Sequence, residues 1–292
     1  MPGLAGLCCG KARQKPCAFE GGDNRLNVTR AQLEGLCDIA REAGKAILAL
    51  YEQQINVAFK ADNSPLTEAD TRSDAIIRAR LEAAFPEIFI LSEESVSGKQ
   101  APADAPFFLV DPLDGTQEFL KRNGEFTVNI ALVAQGLRAG VIYAPVLNQM
   151  YAAAAGLGAF RQGNGEPWAQ IRVAKAAEPL RVIGSRSHES ADFEAWRTTL
   201  AQRHDVLRMG SSLKFCRMAE GSADFYPRFG PTCQWDTAAG QCILEVAGGQ
   251  VLDAEGQPFC YARSRPILNP FFVAFGDPAL RPLARAALNH PR

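Results

Sequence analysis

Histidine is scarce in this 292-residue sequence: only His188, His204 and His290 occur, and they are far apart. A zinc hydrolase that rests on several imidazoles is therefore excluded. The eight cysteines contain no CxxC pair and no Cys/His cluster of zinc-finger spacing. The GxSxG elbow is missing, which removes the serine-hydrolase reading. A basic excess is missing too. Thirty-one Lys and Arg stand against 32 Asp and Glu, leaving a formal charge of −1, so nothing answers a nucleic-acid backbone. No Lys/Arg block marks a membrane-surface helix, and no apolar run approaches the length of a span. The expected partner is a small molecule, with no nucleic acid and no transmembrane segment.

What is present describes an ordinary globular chain, 47% hydrophobic and 22% charged. It is long enough for one large domain or two packed lobes. Residues 1–27 are rich in Gly, Cys, Lys and Pro, without periodicity or a long apolar h-region, and read as a disordered extension or an early start codon. Cys8 and Cys9 lie there with no other anchoring signal. Cys37, Cys216 and Cys242 sit in apolar contexts, as buried reduced thiols of a cytoplasmic protein would.

Helical periodicity runs from Thr29 to about Tyr51, and again through Ala69, Ser73, Ile76, Ile77 and Leu81 to the stop at Phe85-Pro86. Between them Asp62-Asn63-Ser64-Pro65 reads as a turn. Strands are expected at Ile88–Leu91, Phe107–Val110, Phe126–Val133, Gly140–Tyr143 and Tyr151–Ala155. After Pro179, strand and helix alternate: strands at Arg181–Gly184, Asp205–Met209, Ala223–Tyr226 and Gln250–Asp253, helices at Asp192–His204, Leu213–Glu220 and Asp236–Val246. The grouping predicts an α+β lobe over 28–175 with an antiparallel-rich sheet, and an α/β lobe over 176–292.

Three acidic motifs carry the chemistry. Val110-Asp111-Pro112-Leu113-Asp114-Gly115-Thr116 reads as an apolar strand ending in a turn with two carboxylates and a hydroxyl. Leu91-Ser92-Glu93-Glu94-Ser95 repeats that layout after an earlier strand, and two neighbouring strand ends can bring the carboxylates together. Trp235-Asp236, at a helix start that runs to Gly248-Gly249, adds another; taken alone, Asp236 reads as an ordinary N-cap, a role compatible with binding a metal through its other oxygen. Carboxylates gathered in one pocket need hard cations to offset their repulsion. Oxygen-only ligands point to Mg²⁺.

Together these motifs, in this order, resemble the lithium-sensitive, magnesium-dependent phosphatases of the inositol monophosphatase superfamily, over about Asn27 to Leu280. The stretches Lys60–Asp70, Gln117–Asn129, Ser185–His188, Gly210–Lys214 and Tyr226–Thr232 are similar to its CysQ-type 3′(2′),5′-bisphosphate nucleotidases. That resemblance implies a layered αβαβα sandwich of the sugar-phosphatase type. It implies two or three Mg²⁺ ions held by Glu93, Asp111, the Leu113 carbonyl, Asp114 and Asp236, with Asp70 and Thr116 deprotonating the attacking water. Gly115, Thr116, Ser185, His188, Ser211, Lys214, Arg228 and Asp236 would contact a phosphorylated nucleotide, and 3′-phosphoadenosine 5′-phosphate or its 5′-phosphosulfate analogue would lose its 3′-phosphate. A monomer or homodimer in the cytoplasm, or peripheral on the inner membrane's cytoplasmic face, goes with it.

Other readings compete. Inositol phosphate or a broad substrate range is open within the superfamily, and a retired scaffold that only binds a metabolite is open outside it. An aspartyl-phosphate mechanism would need one residue between Asp111 and Asp114, where Pro112 and Leu113 stand. Gly6 to Lys11 is one residue short of a P-loop, ends in Ala12 and follows no strand.

Overall fold

The structure, a computed structural model, describes residues 26–52, 57–59, 65–95, 105–187 and 190–290. The turn expected at Asp62–Pro65 falls largely outside these residues, as do Cys8, Cys9 and His188. Two long helices open the fold. In α1 (Arg30–Tyr51), Thr29 and Gln32 form a reciprocal capping box, and Leu33, Leu36, Cys37, Ala40 and Ile47 make the buried stripe. A second capping box, from Thr67 and Asp70, starts α2 (Glu68–Ala84), which stops before Pro86. The short strands β1 (Val57–Phe59) and β2 (Pro65–Thr67) pair antiparallel just before it.

A seven-stranded sheet follows in chain order: β3 (Phe89–Ser92), β4 (Phe107–Asp114), β5 (Thr127–Val133), β6 (Leu137–Ala144), β7 (Gln149–Ala154), β8 (Gly158–Gly163) and β9 (Ala169–Gln170). The helix α3 (Thr116–Leu120) leaves the end of β4. Only the β3–β4 pair is parallel. A five-stranded sheet is built from β10 (Leu180–Ser185), β11 (His204–Met209), β12 (Phe225–Arg228), β13 (Gln250–Asp253) and β14 (Phe272–Phe275), ordered β11-β10-β12-β14-β13. Here β10 runs parallel to β11 and β12, and β14 antiparallel to its neighbours. The helices α4 (Ala191–Thr198), α5 (Leu213–Ala219), α6 (Gln234–Val246) and α7 (Arg281–Leu288) complete the chain.

Strand alternation sorts the apolar residues into three cores. Phe108, Val110, Ile130 and Leu132 face α1 and α2 on one side of the larger sheet. Phe107, Leu109, Ala131 and Val133 face the other way, onto α5, α6 and the inner side of the smaller sheet, including Ile183, Tyr226 and Phe272. Val182, Phe225, Val273 and Phe275 face outward under α4 and α7. The layers are thus αβαβα, as expected. The two halves of the chain share the middle core, because α6 packs on the larger sheet although it lies in the second half of the chain. Gly140 permits this approach: a Cβ there would lie 2.6 Å from the Ala239 carbonyl oxygen.

Several expectations are corrected. Strand β4 does not end at Val110 but continues through Asp114, with a register shift between Asp111 and Asp114. The helix expected from Asp192 to His204 ends at Thr198, where the Thr198 and Thr199 hydroxyls donate to the carbonyls of Ala195 and Trp196. Strands β8, β9 and β14 and helix α7 lie in stretches that the sequence pattern left unassigned. Cys37, Cys216 and Cys242 are buried and free, with burial pushing the Cys37 thiol up to about 12. Cys260 differs: it is disulfide-bonded. No helix among the described residues is long and apolar enough to cross a membrane.

Candidate active site

The carboxyl ends of parallel strands from both sheets meet at one place. Glu93 follows β3, Asp111 and Asp114 end β4, Ser185 ends β10, Ser211 follows β11 and Arg228 ends β12. Such ends are where open α/β sheets leave a crevice for ligands. Here they surround a cavity of about 900 Å³, which Gly115, Thr116, Lys214 and Asp236 also line. Every described site residue expected from the sequence, apart from Asp70, borders this cavity, and Asp70 lies directly behind Thr116.

The β4 bulge explains how Asp111 and Asp114 come to serve one cavity. Residues three apart in a regular strand point to opposite faces. Asp111 pairs with Asn129 and Asp114 with Thr127, so two residues, Pro112 and Leu113, stand opposite the single Val128. The extra residue restores the parity, and proline suits a position that donates no ladder hydrogen bond. Gly115 then takes φ +95°, and a Cβ there would meet a Glu118 carboxylate oxygen at 3.1 Å. The chain turns into α3 with Thr116 at its start.

Local donors hold one oxygen of each aspartate. Leu113 N–H donates to Asp111 Oδ1 at 3.1 Å, Asn129 Nδ2 to Asp114 Oδ2 at 3.0 Å, and Cys233 N–H to Asp236 Oδ2 at 2.8 Å. Asp236 is therefore the third residue of α6 rather than its N-cap, which is Cys233. The Thr116 hydroxyl donates to Asp70 Oδ1 at 3.4 Å, while Asp70 Oδ2 accepts from Thr67 N–H and Oγ1–H at 2.7 and 2.6 Å. Among the described residues, no three His, Cys, Asp or Glu side chains converge as a closed metal cage. Glu93, Asp111, Asp114 and Asp236 nevertheless border one cavity, as the motifs led us to expect of carboxylates gathered in one pocket.

Electrostatics mark the same place. Burial first, then Glu93, Asp114, Asp236 and Asp70, push the Asp111 carboxyl well above the usual carboxylate range. Burial and Asp114 raise Asp236 to about 8, against the opposing Cys233 N–H and Arg228. Lys214, 8% exposed, is lowered to about 8 by burial, although Asp114, Glu118 and Asp236 pull the other way. A hard divalent cation fits this donor set, since it favours oxygen ligands and opposes both the repulsion and the burial cost.

Some contributors went unread in the sequence. Asn129 also donates to Ser212 Oγ at 3.0 Å, and Ser212 donates to the Asp236 carbonyl at 2.6 Å, joining β5, α5 and α6 around the acids. A buried amide inside the apolar run Thr127–Val133 was the available signal. Glu125 accepts from Arg186 Nε and Nη2 at 2.6 and 2.8 Å and from Gly210 N–H at 2.8 Å, fixing the loops around Ser185 and Ser211. Ser211 takes φ +43°, a left-handed conformation rare for a non-glycine residue.

Similarity to known proteins agrees with this fold. The sequence profile described as the inositol monophosphatase family matches residues 29–288. The 3′(2′),5′-bisphosphate nucleotidase CysQ of Escherichia coli K12 is 47% identical over 244 residues, covering 82% of this chain and 98% of that protein. The crystal structure of CysQ from Bacteroides thetaiotaomicron, 38% identical, superposes with a TM-score of 0.72 over 84% of this chain and 97% of its own. The extragenic suppressor protein suhB of Bartonella henselae, 27% identical, gives 0.75 over 90% and 100%.

Proposed function

The chain belongs to the inositol monophosphatase family, and from that membership we propose that it is a magnesium-dependent 3′(2′),5′-bisphosphate nucleotidase. The observation that carries the reading is the cavity lined both by Glu93, Asp111, Asp114 and Asp236 and by Lys214 and Arg228. The acids are oxygen ligands for cations, and the two basic side chains are cations for an anionic substrate.

In this reading Glu93, Asp111, the Leu113 carbonyl, Asp114 and Asp236 hold the magnesium ions. Bound magnesium supplies acidification of water and neutralisation of charge on the phosphoryl and leaving oxygens. Thr116 Oγ1 relays the proton of the attacking water to Asp70 Oδ1, the oxygen it already addresses at 3.4 Å. The two hydrogen bonds from Thr67 keep the Asp70 carboxylate from rotating. Lys214 meets the second phosphate as a buried cation, and substrate charge stabilises its protonated form. Arg228 is suited to the same anion, since its buried Nε–H has no hydrogen-bond partner among the described residues. Ser185, Ser211 and His188 would orient the nucleoside. Leu268, 63% exposed on the cavity wall, offers apolar surface to a base, which an inositol ring does not need. Lithium sensitivity belongs to the same reading.

The test is kcat/KM for adenosine 3′,5′-bisphosphate against inositol 1-phosphate, with and without Mg²⁺. A pocket that pairs a second phosphate discriminates against substrates lacking it by orders of magnitude. Equal values would leave the phosphatase chemistry and remove the nucleotide, and full turnover without metal would remove the mechanism.

A further inference from the structure

Helix α2 does more than place Asp70. Asp70, Ser73 and Asp74 occupy i, i+3 and i+4, one face of the helix. All three are buried, and all three reach segments that carry the acidic motifs. Asp70 accepts from Thr116, and Ser73 Oγ donates to the Pro112 carbonyl at 2.7 Å, inside the β4 bulge. Asp74 accepts from two serines: Ser92 Oγ donates to its Oδ1, and Ser95 Oγ to its Oδ2 at 2.8 Å.

Those serines flank Glu93 and Glu94. The segment is closed on itself by Ser92 N–H donating to the Ser95 carbonyl at 3.1 Å, and Glu93 N–H donates to the Val110 carbonyl of β4 at 3.1 Å. The backbone at Glu93 is thus held from two directions, by β4 on one side and by Asp74 through both serines on the other. A glutamate on an unanchored loop would lose more freedom on binding an ion, and the ion would pay that ordering cost in affinity. Asp74 itself does not border the cavity.

We propose that Asp74 is a positioning residue: it fixes the Ser92–Ser95 turn so that Glu93 is presented ready for a divalent cation. This rests on Glu93 being a cation ligand. Partners that orient a ligand from behind typically change metal affinity about 10- to 100-fold when removed.

The test titrates Mn²⁺ into the metal-stripped full-length protein and reads free Mn²⁺ by electron paramagnetic resonance. Asp74→Ala should weaken Mn²⁺ binding at least about tenfold, with kcat at saturating metal close to that of the parent. Ser95→Ala, which removes one of the two anchors without emptying the core, gives the same direction if Asp74→Ala does not fold. Asp74→Asn, able to accept from one serine and donate to the other, should recover part of the loss. Since Asp74 acts through Glu93, Asp74→Ala should add no further loss in a Glu93→Gln background. Unchanged Mn²⁺ affinity in the Asp74 and Ser95 variants, while Glu93→Gln weakens it, overturns the positioning role alone. So does an equal loss in both backgrounds. Unchanged affinity in Glu93→Gln itself overturns the ligand assignment and the positioning role together.

Discussion

Protons and metal should compete for the same oxygens in this cavity, and the competition has a predictable slope. In the metal-free protein Asp236 is raised from 3.8 to about 8, by burial first and Asp114 next, and Asp111 is raised well above its ordinary value. A cation must displace those protons. Below pH 8, each proton displaced weakens apparent affinity about tenfold per pH unit. Asp236 alone, half protonated already at pH 8, therefore predicts about 50-fold weaker Mg²⁺ binding at pH 6 than at pH 8, and the raised Asp111 carboxyl acts in the same direction. Stability follows the same linkage. A carboxyl whose folded pKa is raised favours the fold when protonated, so its contribution is fully present below the unfolded value of 3.8 and is lost as pH rises towards 8. The metal-free protein should melt lower at pH 8 than at pH 6, and the rise in Tm on adding Mg²⁺ should be larger at pH 8. Isothermal titration calorimetry in buffers of different ionisation enthalpy would count the protons released, about one per protein from Asp236 at pH 7. Asp236→Asn should flatten the slope by about one decade per pH unit while weakening binding at all pH values. Mg²⁺ affinity that is constant from pH 6 to pH 8, without proton release, would refute the electrostatic reasoning.

Other expectations follow from the same geometry. Asp111→Asn should lower kcat by about 100-fold or more, the scale for removing a group that stabilises transition-state charge, as steady-state phosphate release would show. Asp70→Asn and Thr116→Ala should be non-additive, the double variant being little worse than either single one, because the two act on one proton; multiplying effects on kcat would separate them. Lys214→Met keeps the buried volume but not the charge, and should cost about 10- to 100-fold in kcat/KM for a bisphosphate with little effect on a simple monoester. Gly140→Val should lower stability by about 1–3 kcal/mol or more, measurable by urea unfolding, because its Cβ would press on the Ala239 carbonyl 2.6 Å away.

The sequence alone made legible the helices α1 and α2, most of the strands, and the identity of the acidic and basic groups, because these are local properties. Helical period, capping boxes at Thr29 and Thr67, and the Phe85-Pro86 stop are all written within a few residues of where they act. It also indicated that neighbouring strand ends would carry Glu93 and Asp111, which the parallel β3–β4 pair bears out. The turn read at Asp111–Thr116 was instead a strand with a bulge, since that motif looks the same in one dimension whether or not β5 pairs beside it. The folded arrangement, and nothing local, puts Asp111 and Asp114 on one cavity. Their spacing of three would divide them across an unbroken sheet, and the pairing with Asn129 and Thr127 changes that parity. It also decided that Asp236, more than 100 residues away, closes the same cavity, through the packing of α6 on the larger sheet. Asn129, Ser212 and Asp74 acquire their roles in the same way. A single polar side chain in an apolar run or a helix is ambiguous until its partners arrive from other elements, and the free energy of leaving it unpaired in the interior then makes that arrangement the required one.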